Sequence, residues 1–250
     1  MADTPEPTAE PAPTGWHRFT TSRAPDGAGT AVTYGAGLPS EADLRLLGNV
    51  DGKRVLDLGC GVGLNAVVLA GQGAKVIGVD PDNTSLGSAR TRADAAEVKV
   101  ELHQSELADL AFLRSDSVDA AISIMALATV EDLARVFRQV HRVLKPEAPL
   151  VASFPHPAFA MFDPGATDPL RVKRPYDQNA PRTWELADAI VTDHPRGIGE
   201  LFTTLHRSSF GVDQVIESTA PANGPRGPSF ADLMRSVPAT VVIRARKQGN

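Results

Sequence analysis

Residues 55–63 read Val55-Leu56-Asp57-Leu58-Gly59-Cys60-Gly61-Val62-Gly63, an apolar run that enters three glycines on alternate positions. Glycine is the residue for a backbone that must take φ > 0 or let something come into contact with the main chain. Three of them in five residues predict a tight strand-to-helix turn with a ligand over it. A dinucleotide fingerprint, G-x-G-x-x-G, would put its third glycine at position 64. That position is Leu64, so the spacing is G-x-G-x-G, with Asp57 two residues ahead of the first glycine. A second apolar run, Lys75-Val76-Ile77-Gly78-Val79-Asp80, ends in a carboxylate, which suits the two hydroxyls of a ribose.

Outward from this turn, apolar runs and 3.6-period segments alternate. Strands are expected at 53–58, 75–80, 97–103, 118–125 and 149–154, and helices at 63–71, 83–94 and 131–144. The rhythm predicts an α/β, Rossmann-like doubly wound sheet, mostly parallel, with strands apolar on both faces. Helix 131–144 carries Leu133, Phe137, Val140 and Leu144 on one stripe, with Thr129 and Asp132 arranged as a capping box. Ahead of the first strand, Ser40 and Asp43 are placed to cap a short helix from Pro39. After a helix at 197–208 and a strand at 210–217, the last strand, 239–246, alternates Val241, Ile243 and Ala245 with Val242, Arg244 and Arg246. Such alternation predicts an antiparallel or edge setting and completes a seven-stranded sheet with an antiparallel last strand.

Two regions break the rhythm. Residues 1–14 are polar and proline-rich and are expected to be disordered, ahead of a single domain over 15–250 with an N-terminal cap at 15–50. Residues 155–196 are rich in proline, aspartate and aromatic residues, with a short helix expected near Trp184 to Ala189, and read as a substrate-side insertion.

Composition narrows the function. The formal net charge is −5, which repels nucleic acid. The local basic group Arg171, Lys173, Arg174 and Arg182 reads as solvated loop surface. Cys60 is the single cysteine, so there is no disulfide framework, and no Cys/His spacing suits zinc. No apolar run approaches the ~18 residues of a membrane span, and a reducing cytoplasmic setting fits. The expected partner is a small molecule, with no nucleic acid or membrane; oligomeric state is not legible.

The string Asp57-Leu58-Gly59-Cys60-Gly61-Val62-Gly63, followed in register by the strand ending in Asp80, resembles motif I and the second-strand acid of class I S-adenosylmethionine-dependent methyltransferases. Similarity extends from about Pro39 to Lys247 and is closest to the small-molecule branch, in particular chains with Pro-His-Pro after strand five. The resemblance implies S-adenosylmethionine as cofactor, S-adenosylhomocysteine as product and no metal. It further implies that Gly59, Cys60, Gly61, Gly63 and Leu64 lie against the cofactor, that Asp57 faces its ammonium and that Asp80, followed by Pro81, holds the ribose. Glu106 and Leu107 align with the adenine-binding pair, with Asp109 as an alternative acid, and Ile124 and Met125 flank the cofactor after strand four. Histidines that many relatives carry near Ala128 or Thr129 are absent. His156, between Pro155 and Pro157, is the candidate general base, because imidazole titrates near neutrality. Trp16, His17, Tyr34, Tyr176 and His194 are candidate pocket residues. Two other readings stay open: a cofactor-binding protein without transfer chemistry and, against Leu64, an NAD(P)-dependent oxidoreductase.

Overall fold

A computed structural model describes residues 10–11, 31–35, 38–163, 166–177, 180–186, 189–220 and 232–249. Trp16, His17 and most of the 1–14 and 220–229 segments lie outside the described residues. The central sheet has seven strands: β1 (Arg54–Leu58), β2 (Lys75–Asp80), β3 (Val100–Gln104), β4 (Ala120–Ile124), β5 (Pro149–Pro155), β6 (Phe210–Glu217) and β7 (Thr240–Lys247). Their order is β3-β2-β1-β4-β5-β7-β6. The pairs among β1 to β5 are parallel, and β7 runs antiparallel to both β5 and β6. The winding reverses at β1, between β2 and β4, and in open α/β sheets ligands bind beyond the strand ends at such a point.

Alternate strand residues feed two cores. Leu56, Leu58, Ile77, Val79, Leu150, Ala152 and Phe154 pack under α4 (Leu133–Val143) and α5 (Ile198–Arg207). Val55, Val76, Ala120, Ile122 and Val151 pack under α2 (Leu64–Gly71) and the cap segment, including Val32, Tyr34, Leu46 and Val50. Asp57 therefore falls on the cap side, in step with Val55. The edge strand β3 is an exception to the doubly apolar pattern: Glu101 and Gln104 are exposed, because only one neighbour covers it.

Several boundaries differ from the sequence expectation. Helix α1 spans only Glu41–Leu44 and stops at Arg45 in a left-handed conformation; Ser40 makes no side-chain cap. Glu41 instead folds over the helix end and accepts from the N–H groups of Leu46, Leu47 and Gly48. Helix α4 begins at Leu133, capped by Asp132, which accepts from Arg135 N–H at 2.9 Å. Thr129 takes no part in that cap; its hydroxyl donates to Ala126 O within a 3-10 turn at 126–129. The short helix expected near Trp184 to Ala189 is a hairpin, Arg182–Leu186 antiparallel to Ala189–Asp193, with Glu10–Pro11 added in parallel. Thr183, Trp184, Ile190, Val191 and Thr192 are β-branched or aromatic, which favours strand in short segments. Helix α3 (Asn83–Ala95) starts at Asp82, whose carboxylate accepts from the N–H groups of Thr84 and Ser85.

Candidate active site

The glycine turn sits at the tip of β1. Gly59, Gly61 and Gly63 have φ of +76, +52 and +78°, so each occupies the region that L side chains disfavour. They do different work. A Cβ on Gly59 would stand 2.1 Å from Ala126 Cβ, and one on Gly63 would stand 2.8 Å from Ala89 Cβ. These two let the 3-10 turn and α3 approach the loop. A Cβ on Gly61 would meet nothing within 4 Å, so the open space lies at the middle glycine.

Two carboxylates border that space. Asp80 Oδ2 accepts from Gly61 N–H at 2.8 Å and Oδ1 from Asp82 N–H at 2.9 Å, so each oxygen keeps a lone pair. Burial raises the Asp80 pKa, opposed by those two N–H donors. Asp57 is 3% exposed, and among the described residues no donor reaches its carboxylate. Burial, with a further push from the Asp80 charge, raises its pKa to about 7. A buried carboxylate without a partner is costly, and a cation placed beside it is the natural compensation. The thiol of Cys60, facing Gly78, is pushed far up by burial and stays protonated.

Neighbouring strand tips close around the turn. The N–H groups of Gly59 and Cys60 both donate to Val79 O, and Ser105 N–H donates to Asp80 O. Leu107 is buried, with Cδ1 3.7 Å from the Gly59 Cβ position, whereas Glu106, Asp109 and Pro81 are exposed. Ile124 ends β4. Met125 follows with φ of +63°, buried, its N–H shared between Ser153 O and Oγ. This left-handed residue turns the chain so that Ala126 rests on Gly59. On the cap side, Asn65 exchanges two hydrogen bonds with the Thr33 backbone, fixing the cap over the start of α2.

The remaining expected residues fall in different settings. Tyr34 is fully buried and its hydroxyl donates to Glu41 at 2.6 Å; burial and that carboxylate hold the phenol protonated, so its place is in the cap core. Tyr176 is 42% exposed and packs against Gly197 at the start of α5. His156 is buried with both ring nitrogens occupied. Ala158 N–H donates to Nδ1 at 3.1 Å, which leaves the ring proton on Nε2, given to Glu217 Oε1 at 2.6 Å. Its main-chain N–H donates to Ala239 O. Nothing on this ring is free to take a proton, so the geometry replaces the general-base expectation with a brace between the tips of β5 and β6. Replacing His156 by alanine is expected to cost on the order of 2 kcal/mol, for the lost bonds and the stranded partners. Urea unfolding measures this, and S-adenosylhomocysteine affinity should stay within about threefold of wild type, a change of under ~1 kcal/mol.

Beside this brace, a small cavity is lined by Ala128, Phe154, Pro155 and Pro157 on one side and by Asp193, His194 and Arg196 on the other. His194 N–H donates to Ala128 O at 2.8 Å. Arg196, which sequence reading missed, lies with its side chain 8% exposed and donates to the carbonyls of His194, Val130 and Glu131. Burial lowers its pKa, with Glu200 and Asp193 opposing. The available signal was an arginine just ahead of a helix whose first turn offers Glu200 at i+4.

Residues 56–152 match the family model described as "Methyltransferase domain". The chain is 36% identical over 107 residues to a ubiquinone biosynthesis O-methyltransferase of Alkalilimnicola ehrlichii, covering 43% of this chain and 43% of that protein. The chain thus spans less than half the length of that curated relative. It is 29% identical over 186 residues to a Mycolicibacterium smegmatis protein named "Probable S-adenosylmethionine-dependent methyltransferase", covering 71% of this chain and 69% of that one. A solved S-adenosylmethionine-dependent methyltransferase from Mesorhizobium loti superposes with a TM-score of 0.68 at 30% identity, over 82% of this chain and 96% of that one. Sheet order and glycine turn define a Rossmann-like methyltransferase fold. The chain belongs to the class I S-adenosylmethionine-dependent methyltransferase family.

Proposed function

We propose that the protein transfers a methyl group from S-adenosylmethionine to a small-molecule acceptor. The observation that carries this reading is the pairing of the open space at Gly61 with Asp57, a buried carboxylate that no donor among the described residues satisfies. The ammonium of a bound S-adenosylmethionine would supply the missing cation, and Asp80 has lone pairs left for the ribose hydroxyls. The buried Leu107 would lie toward the adenine, with Ile124 and Met125 beside the cofactor. When bound, the cofactor supplies an already activated methyl on a sulfonium. What this chain must add is alignment and exclusion of water, which can contribute ~7–11 kcal/mol to such a step. A small acceptor is in keeping with the A. ehrlichii relative, whose name places it in ubiquinone biosynthesis.

Calorimetry with S-adenosylmethionine, S-adenosylhomocysteine and NADH tests the reading. Micromolar affinity for the first two and none for NADH is expected; the reverse ranking would favour the oxidoreductase. The pKa of Asp57 adds a pH signature. A cation beside it favours the ionised form, so binding should release a proton and tighten as pH rises through about 7. Titrations in two buffers of different ionisation enthalpy count that proton, and an affinity that is flat across neutrality would refute the contact.

A further inference from the structure

The turn after β4 is held at both ends, and its anchors come from different parts of the chain. At its start Met125 takes φ of +63°, a conformation that a residue with a Cβ keeps only where its surroundings enforce it. The enforcing residue is Ser153 of β5, whose carbonyl and hydroxyl both accept from Met125 N–H, at 3.1 and 3.2 Å. Ser123 adds a tie to β1: its hydroxyl donates to Leu58 O at 2.7 Å, one residue past the last ladder pair, Asp57 with Ile122. Ala126, next in line, is the residue that rests on Gly59.

At its far end the turn presents the carbonyls of Ala128, Val130 and Glu131, and the segment 194–196 takes all three. His194 N–H donates to Ala128 O at 2.8 Å. Arg196 Nη2 donates to both Val130 O and Glu131 O, and Nη1 donates to His194 O at 3.1 Å. One planar guanidinium thus ties the turn to the chain that precedes α5, a task for a fork of fixed geometry rather than for a single ammonium. Its side chain is 8% exposed, with Glu200 Oε1 3.6 Å from Nε. Burying a cation is unfavourable, and here most of its donors go to uncharged main chain, so what the burial fixes is the turn. Val130 stands four residues beyond Ala126. At ~2 Å of rise per residue in a 3-10 helix, Arg196 acts roughly 8 Å from the contact with Gly59. It reaches the glycine loop through the turn.

Resting on the methyl-transfer reading, which puts the cofactor over the glycine turn, we infer that Arg196 is a positioning residue: it holds the 126–131 turn closed on Gly59 and so fixes the cofactor site from the α5 side. Loss of the fork leaves Val130 O and Glu131 O without their donor and frees the far end of the turn. Met125 and Ala126, then pinned from the β4 and β5 side alone, shift against the glycine loop, and alignment for transfer is sensitive to displacements of about 1 Å. Linkage makes the effect reciprocal. If closure of the turn favours the cofactor, the bound cofactor favours closure by the same factor.

The experiment measures S-adenosylhomocysteine affinity by calorimetry and amide exchange by NMR in wild type, Arg196→Lys, Arg196→Ala and His156→Ala. Lysine keeps the positive charge without the fork, and it carries the test alone if the alanine variant does not fold. His156→Ala is the control, because it removes the brace between β5 and β6 with cofactor affinity expected to hold. Both Arg196 variants should bind S-adenosylhomocysteine about tenfold or more weakly, within the usual range of coupling between linked sites. Exchange at the N–H groups of Ala128 and Val130, which donate to Met125 O and Leu127 O, should quicken in these variants while β1 and β2 keep wild-type rates. S-adenosylhomocysteine should slow exchange at the same two amides, and more in wild type than in the variants. Affinity within about threefold of wild type in every folded Arg196 variant, or exchange that quickens equally in the central strands, would make Arg196 a structural brace like His156 and overturn its role. A wild-type protein that does not bind S-adenosylhomocysteine would remove the methyl-transfer reading itself, whereas wild-type binding with the Arg196 variants unaffected would remove this inference alone.

Discussion

Replacing Asp57 by asparagine should weaken S-adenosylmethionine binding by on the order of 2–4 kcal/mol, about 30- to 1000-fold, the usual cost of truncating one side of a buried charge pair. The free protein should respond in the opposite direction. Its buried carboxylate has no donor among the described residues, and its pKa is raised from 3.8 to about 7. Between those values the native state holds a proton that the unfolded chain has released, so Asp57 makes stability fall as pH rises through that window. Asparagine removes this dependence, and the Asp57→Asn protein should be the more stable of the two above about pH 7. Urea unfolding at about pH 5 and about pH 8, beside calorimetry, checks both halves. A variant that binds normally would detach Asp57 from the cofactor, and one with the wild-type pH dependence would contradict the buried, unpartnered carboxylate.

Alanine at Gly59 and at Gly61 should fail for different reasons. At Gly59 the new methyl meets Ala126 Cβ at 2.1 Å with φ at +76°, and Ala126 is attached directly to the backbone of the 3-10 turn. Left-handed strain of ~1–2 kcal/mol and overpacking of ~1–3 kcal/mol together predict a stability loss of about 3 kcal/mol. At Gly61 the methyl enters open space, so only the strain of about 1 kcal/mol is expected in the free protein. Cofactor affinity should nevertheless drop on the order of 100-fold, since the methyl occupies the volume assigned to the ligand. Thermal unfolding and calorimetry on the pair separate the two effects. Equal stability losses, or intact binding in Gly61→Ala, would mean that the ligand does not lie over the middle glycine.

The sheet was legible because its central strands are apolar on both faces and its last strand alternates. Those patterns follow from how many neighbours cover each strand. The glycine turn was legible because three glycines on alternate positions in five residues admit little else. What stayed hidden depends on partners distant in sequence. His156 looks like a free imidazole until Glu217, 61 positions away, arrives at its Nε2. Tyr34 looks like a pocket phenol until Glu41 folds onto it. Where a short helix is expected near Trp184 to Ala189 the chain forms the hairpin of Arg182–Leu186 and Ala189–Asp193, because short apolar runs fit either period. Arg196 gave no motif at all; its meaning comes from three carbonyls gathered around it.

The central claim is one placement, and a crystal structure of the protein with S-adenosylhomocysteine tests it most directly. The account predicts the adenosyl group along the main chain of Gly59 to Gly63, both ribose hydroxyls on Asp80 and the ammonium within hydrogen-bond reach of Asp57. A ligand seated elsewhere, or one that leaves Asp57 without a cation, would contradict it.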